Sequence, residues 1–178
     1  GLLAAGATTV AYSYIGPALS WPIYRDGTIG RAKIHLDATA QRMTAQAPVA
    51  GLKAYVSVNK AVVTRASAVI PIIPLYVSIL FKVMKARGNH EDCIAQMDRL
   101  FRDRLYVKGP DGKALPPAVD AEGRIRLDDL ELLPGVQAEV DAIMEKIGPD
   151  NLAELADVEG FKADFLAAHG FGLPGIDY

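Results

Sequence analysis

The sequence predicts an α/β protein, rich in helices and carrying only a few short strands. Three observations predict it. Hydrophobic residues make up 51% of the 178 positions, enough to bury one sizeable core. Three short runs read as strands: Thr9-Val-Ala-Tyr-Ser-Tyr14, Ala54-Tyr-Val-Ser-Val58 and Gly123-Arg-Ile-Arg-Leu127. Longer stretches with apolar residues at helical spacing lie between and after them.

The elements follow in order. Gly1-Leu-Leu-Ala-Ala-Gly6 reads as the last turn of a helix with a glycine stop, which predicts that the chain is a piece of a longer protein. After the first strand, Gly16-Pro17 and Trp21-Pro22 predict an irregular connection, with Tyr24 on the loop. Asp26-Gly27-Thr28 predicts a turn in which Asp26 or Thr28 caps a helix over 29–46, stopped by Ala47-Pro48. A helix is predicted over 59–70, another from Pro74 to Arg87 with Gly88 as its stop, and a third over 90–106. Residues 107–122 are rich in Gly, Pro and Asp and read as a surface loop. Pro134 opens a helix that places Val136, Val140, Ile143 and Ile147 on one face. Asn151 to Glu154 predicts a capping box, Asp157 a cap for a last helix to about His169, and 171–178 a tail.

Composition excludes several functions. Nineteen basic and 21 acidic residues leave a formal charge of −2, which argues against a nucleic-acid binder. The single cysteine, Cys93, makes no internal disulfide, fits a reducing compartment and reads as a packing residue. The apolar run 66–81 is interrupted by Pro71 and Pro74 and is too short to span a membrane, so it reads as a buried or pocket-lining helix pair. His35, His90 and His169 lack metal-ligand spacing, and no metal site is expected. Lys82, Lys85 and Arg87 could meet phosphates, but read first as a solvated helix end.

The residues with the most chemistry are Tyr14, Tyr24 and Lys33. A tyrosine beside a lysine ammonium can give up its proton more readily, because the cation stabilises the phenolate. Taken by spacing alone, both tyrosines read first as packing side chains. Tyr24 and Lys33 lie nine apart with Gly27 and Gly30 between them. That spacing is not the i,i+4 arrangement in which a tyrosine and a lysine share a helical face.

The surroundings are more specific. Tyr12-Ser-Tyr-Ile-Gly-Pro17 and Trp21-Pro-Ile-Tyr-Arg-Asp-Gly-Thr-Ile-Gly-Arg-Ala-Lys33 resemble the trans-2-enoyl-CoA/ACP reductases of the FabV type. Tyr55-Val-Ser-Val-Asn-Lys-Ala-Val-Val-Thr-Arg-Ala-Ser67, Gly123-Arg-Ile-Arg-Leu-Asp-Asp129 and His169-Gly-Phe-Gly172 continue the resemblance over nearly the whole chain. It implies a Rossmann-type, short-chain-dehydrogenase-like enzyme of which this chain is the C-terminal part, the N-terminal dinucleotide-binding part being absent. It implies NADH as cofactor, an enoyl-CoA or enoyl-ACP thioester as substrate, a cytoplasmic location and a monomer at full length. Tyr24 matches the catalytic tyrosine of a Tyr-x8-Lys motif, Lys33 the lysine that contacts the nicotinamide cofactor, and Tyr14 a tyrosine on the acyl thioester. Val62, Val63 and Thr64 match a cofactor-contacting segment at the start of a helix. No Gly-x-Gly-x-x-Gly follows a strand in this chain, so the phosphate cradle would lie upstream. Two other readings stay open: a non-catalytic helical lipid- or partner-binding module built on 66–81, and a tyrosine–lysine oxidoreductase acting on carbonyls.

Overall fold

Strand β1 (Thr8–Ser13) and strand β2 (Lys53–Val58) pair in parallel, with Thr8 opposite Lys53 and Ser13 opposite Val58. Strand β3 (Arg124–Arg126) adds to β2, again in parallel, giving the order β1-β2-β3. The computed structural model describes residues 3–47, 49–172 and 174–177. It divides into two units, Gly1–Lys60 with Ala95–Asp129, and Ala61–Ile94 with Leu130–Tyr178.

The first unit is a layered α/β arrangement. A parallel sheet needs cover on both faces, and β2, with Ala54, Val56, Ser57 and Val58 buried, is its central strand. Helix α2 (Thr28–Ala45) covers one face, packing Leu36 and Ala40 on Ala54 and Val56. Thr44 Oγ1 accepts the Ala54 N–H at 2.9 Å and so ties the end of α2 to the start of β2. Helix α4 (Cys93–Leu100) covers the other face, where Leu100 and Met97 meet Val10, Tyr55, Ile125 and Leu127. The helix predicted over 90–106 therefore starts later and does not run straight through. Phe101–Leu105 forms a wide π-type turn closed by the Tyr106 N–H on the Phe101 carbonyl at 2.9 Å. That turn brings Arg99 and Arg104, five positions apart, onto one carboxylate. Arg99 Nη1 lies 2.8 Å from Asp129 Oδ1, and Arg104 Nη2 lies 3.0 Å from Asp129 Oδ2.

The second unit is helical. Helix α3 (Ile73–Ala86) buries Ile73, Tyr76, Val77, Ile79, Leu80, Phe81, Val83 and Met84. It packs against α5 (Pro134–Met144) and α7 (Val158–Ala168). Each such side chain contributes about 1.5–3 kcal/mol on burial, so the 73–81 part of the apolar run forms a core, while Val69 and Ile72 before it stay exposed. Gly88, at φ 69°, ends α3 with its N–H on the Lys85 carbonyl, as its sequence predicts. Asp157 caps α7 by accepting the Gly160 N–H at 2.9 Å, also as predicted.

Several expectations are corrected. The helix predicted over 59–70 does not form: after β2 the chain runs on without a helix to a turn at 65–66 and a short 3₁₀ turn at Ser67–Val69. Several of its amide donors are taken by side chains instead of by the preceding turn, those of Lys60 and Ala61 by distant ones. Lys60 N–H donates to Gln96 Oε1 at 3.0 Å within the first unit. In the second unit Ala61 N–H donates to Glu131 Oε2 at 2.7 Å and Thr64 N–H to Ser67 Oγ at 2.8 Å. Ile72 then adopts φ 67°, an unfavourable left-handed conformation for a β-branched residue, immediately before α3. The predicted capping box at Asn151 is absent from α6 (Leu152–Leu155), because Asn151 Oδ1 instead accepts the Gly148 N–H at 2.7 Å. Cys93 is exposed rather than packed. Residues 3–6 form a turn, not a helix end; Gly1 and Leu2 of that prediction lie outside the described residues, as do the predicted stop at Pro48 and Leu173 and Tyr178 of the tail. Among the described residues no helix is long and apolar enough to cross a membrane.

Candidate active site

Tyr14, Tyr24 and Lys33 come together in the first unit, just past the carboxyl end of β1. That end of a parallel strand is where α/β proteins place ligands. The connection from β1 is not a plain loop. A 3₁₀ turn (Ala18–Ser20) runs into helix α1 (Trp21–Tyr24), so Tyr24 is the last residue of a short helix and not a loop residue. Pro22 favours the first turn of that helix, where its missing N–H costs nothing.

The turn is held by its own polar groups. The Ser20 hydroxyl is shared between the Ile15 carbonyl at 2.8 Å and the Pro17 carbonyl at 2.9 Å. Trp21 Nε1 donates to the Gly16 carbonyl at 3.1 Å. The Arg25 guanidinium lies over the Trp21 ring, 4.1 Å from its centroid. Gly16 has φ 72°, and a Cβ there would overlap Tyr14 Oη and Ser20 Oγ. The absent side chain lets the Tyr14 hydroxyl lie against the backbone.

Gly27 and Gly30 explain the long Tyr24–Lys33 spacing. The cap of α2 is Gly27, with no side-chain bond, so neither Asp26 nor Thr28 caps it as predicted. A Cβ on the buried Gly30 would overlap the Arg25 carbonyl. α1 and the first turn of α2 thus meet backbone to backbone, and this contact brings Tyr24 towards Lys33 despite their separation in sequence.

The Tyr14 and Tyr24 rings pack edge to face, with centroids 4.9 Å apart and planes at 90°. Lys33 Nζ lies 5.7 Å from the centroid of the Tyr24 ring and donates to Ser13 Oγ at 3.1 Å. Tyr24 is 8% exposed, and burial pushes its phenol above the usual tyrosine range. The expected downward pull on Tyr24 from Lys33 is therefore not what the structure shows. Tyr24 is held as a neutral phenol, the form that donates a proton. Burial pushes the Lys33 ammonium below the usual lysine range, with Asp37, one turn further along α2, acting in opposition.

Val62, Val63 and Thr64 belong to the second unit. They are not at the start of a helix. Val63 is buried, Thr64 is exposed, and Ser67 Oγ donates to the Val62 carbonyl at 3.2 Å. Glu131, fully buried, fixes the residue before them: its Oε2 accepts from the Ala61 N–H, and its Oε1 accepts the Tyr76 hydroxyl at 2.6 Å. The cations at the end of α3 are engaged with acids. Lys85 Nζ pairs with Asp157 at 2.6 Å and Arg87 with Glu139 at 2.9 Å. Sequence reasoning missed Ser13, Gly16 and Glu131. The only signal for Gly16 was its place before Pro17, and nothing in the sequence marked Ser13 or Glu131. Gly30 carried a signal, as an unneeded glycine inside a helical stretch.

The chain is similar to known proteins over its whole length. Residues 1–106 match the family described as the trans-2-enoyl-CoA reductase catalytic region, and residues 119–178 match one described as the enoyl reductase FAD binding domain. The chain is 55% identical over its full length to an enoyl-[acyl-carrier-protein] reductase [NADH] of Cytophaga hutchinsonii, covering 43% of that protein. It is 55% identical to a trans-2-enoyl-CoA reductase [NADH] of Treponema denticola, again over the whole chain and 43% of the relative. The crystal structure of the Treponema denticola trans-2-enoyl-CoA reductase in complex with NAD superposes with a TM-score of 0.89 at 54% identity, covering 100% of this chain and 43% of that one. The Clostridium acetobutulicum trans-2-enoyl-CoA reductase in complex with NADH gives 0.90 at 47% identity, over 98% of this chain and 43% of that one. The chain thus spans under half the length of these relatives.

The two dinucleotides fare differently against the residues present. The Lys33 ammonium, half-buried and already on a hydroxyl, fits the ribose end of a nicotinamide cofactor by the chemistry of its donors. A flavin dinucleotide does not fit residues 119–178. Strand β3 leads within three residues to Asp128 and Asp129, whose carboxylates are engaged by Arg126 and by Arg99 and Arg104, and the Asp157 carboxylate already fills the N-terminus of α7. The charges beside β3 are thus already paired, and the filled N-terminus of α7 offers no cradle for a diphosphate. The Gly170, Gly172 and Gly175 spacing follows a helix rather than a strand, and 174–177 form no helix. From the match over more than half its residues, the chain belongs to the trans-2-enoyl-CoA reductase family.

Proposed function

We propose that the protein is an NADH-dependent reductase of the carbon–carbon double bond of trans-2-enoyl thioesters, carried on CoA or acyl-carrier protein, in fatty acid synthesis. In this reading the chain is the C-terminal catalytic and substrate-binding part of a single larger Rossmann-type domain. The N-terminal part supplies the phosphate cradle, and the full enzyme is a cytoplasmic monomer. The observation that carries the reading is the packing of Tyr14 against Tyr24 with the Lys33 ammonium beside them at the end of β1.

Bound NADH would supply a hydride to Cβ of the enoyl thioester. As the bond order shifts, negative charge grows on the thioester oxygen. The Tyr14 and Tyr24 hydroxyls are the donors suited to meet it, and removing one such donor typically costs about 10²–10³ in rate. Tyr24 then gives its proton to Cα of the enolate, a step for which burial keeps it in the neutral form. Lys33 steadies the phenolate that remains and orients the ribose. Val62, Val63 and Thr64 would be further contacts for the cofactor.

The test is an assay of NADH absorbance with crotonyl-CoA in the full-length enzyme. Tyr24→Phe is expected to lose most turnover and retain NADH affinity. Near-normal turnover in that variant overturns the role of Tyr24.

A further inference from the structure

We propose that Ser13 is the positioning residue for Lys33: its hydroxyl, at the carboxyl end of β1, holds the ammonium at the catalytic tyrosine. The inference rests on the tyrosine–lysine reading above and adds to it a residue that neither the motif nor the family match assigns.

Ser13 is buried, and a buried hydroxyl needs a partner. Its described side-chain partner is Lys33 Nζ, at 3.1 Å across 20 positions of sequence. A lysine side chain has four rotatable bonds, and holding its end in one place costs entropy that some fixed acceptor must offset. Ser13 is such an acceptor. Its backbone is set by the ladder opposite Val58, and its carbonyl takes the Asn59 N–H at 2.8 Å. The hydroxyl therefore hangs from the most constrained point near the site, while Lys33 reaches it from α2. An oxygen that accepts from the ammonium favours its charged form, whereas burial disfavours it.

The titratable and charged groups facing Lys33 are few. Tyr24 stands on α1, with its ring centroid 5.7 Å from Nζ. Asp37 stands one turn further along α2 and is itself paired with Arg124 of β3 at 3.7 Å. Asp120 and Glu122, before β3, act on Asp37. Asp37 is thus shared with a second cation. Ser13 is the neutral group bonded directly to the ammonium.

The experiment uses the full-length enzyme, with Ser13→Ala and Ser13→Thr compared across pH for kcat and for KM of NADH. Removing the acceptor is expected to lower kcat about tenfold and to move the alkaline limb of the kcat profile down by about one pH unit, with the melting temperature nearly unchanged. Ser13→Thr, which keeps a hydroxyl, is expected to restore both. An unshifted limb and an unchanged kcat in Ser13→Ala overturn the inference. So does a loss of kcat that follows a fall in melting temperature in both variants, which would make Ser13 a packing residue. Tyr24→Phe and Lys33→Ala are run beside them. If those two keep their turnover, the tyrosine–lysine reading falls and takes this one with it. If they lose turnover while Ser13→Ala is silent, only the role of Ser13 falls.

Discussion

The turn that carries Tyr24 and the segment Ala61–Thr64 are both irregular backbone next to a regular element, yet they are held in opposite ways. The turn is held from nearby. Ser20 bonds to carbonyls three and five positions back, Trp21 to Gly16, and Gly30 meets Arg25. The Ala61–Thr64 segment is held from afar at its start, Ala61 by Glu131 some 70 positions on. A site built locally can be moved by a single atom added within it. A segment pinned at a distance fails when the remote anchor is removed. The comparison also separates two costs. Changes in the turn are expected to appear first in turnover, and changes at the anchor first in stability.

Tyr24→Phe should have the largest effect, because it removes one hydroxyl and almost no packing. A drop of about 10²–10⁴ in kcat is expected, measured beside an unaltered NADH titration. Glu131→Ala comes next. It leaves the Ala61 N–H and the Tyr76 hydroxyl buried without their acceptor, for a loss of about 2–5 kcal/mol in a denaturant titration. Glu131→Gln keeps an acceptor oxygen and should lose less; equal losses in the two would show that only charge matters there. Gly30→Ala sharpens the local side. The added methyl must push α1 off α2, so turnover should fall together with about 1–3 kcal/mol of stability. Full activity in that variant would mean that the backbone contact does not set the Tyr24–Lys33 geometry.

The smallest effect is expected at Asp157. Burial raises its carboxyl, but the Lys85 hydrogen bond and the Gly160 amide outweigh it and hold the group below the usual carboxylate range. A depressed folded value means that the stabilisation is present above the unfolded value of about 3.9 and is lost as pH falls through the folded one. Because Lys85 is 44% exposed, Lys85→Ala should cost only about 0.2–1 kcal/mol at pH 7, and less at pH 3. A penalty that grew towards low pH would contradict this sign.

The difference between local and remote anchoring also explains what could be read in advance. The strands, the stop at Gly88 and the Asp157 cap follow from residues within a few positions of one another, and all three appear in the structure. The helix predicted over 59–70 fails because the apolar spacing of Val62, Val63 and Ile70 says nothing about Gln96 or Glu131, which take the amides at its start. The straight helix over 90–106 fails for a related reason. Asp129 draws Arg99 and Arg104 to one point, and the wide turn is the backbone shape that allows it. At the candidate site the sequence named Tyr14, Tyr24 and Lys33 through their surroundings. It could not name Ser13, because a serine between two tyrosines in a strand has no signature until the strand and α2 are side by side.

By itself the sequence determined the α/β class and the family, and it named Tyr14, Tyr24 and Lys33 as candidates, since these rest on residue types and on order along the chain. Only the tertiary structure decided that Tyr24 ends a short helix, that burial pushes its phenol pKa up, and that a buried serine takes the lysine. Those depend on which groups lose their water and which meet through space, and neither is written in any local stretch of residues.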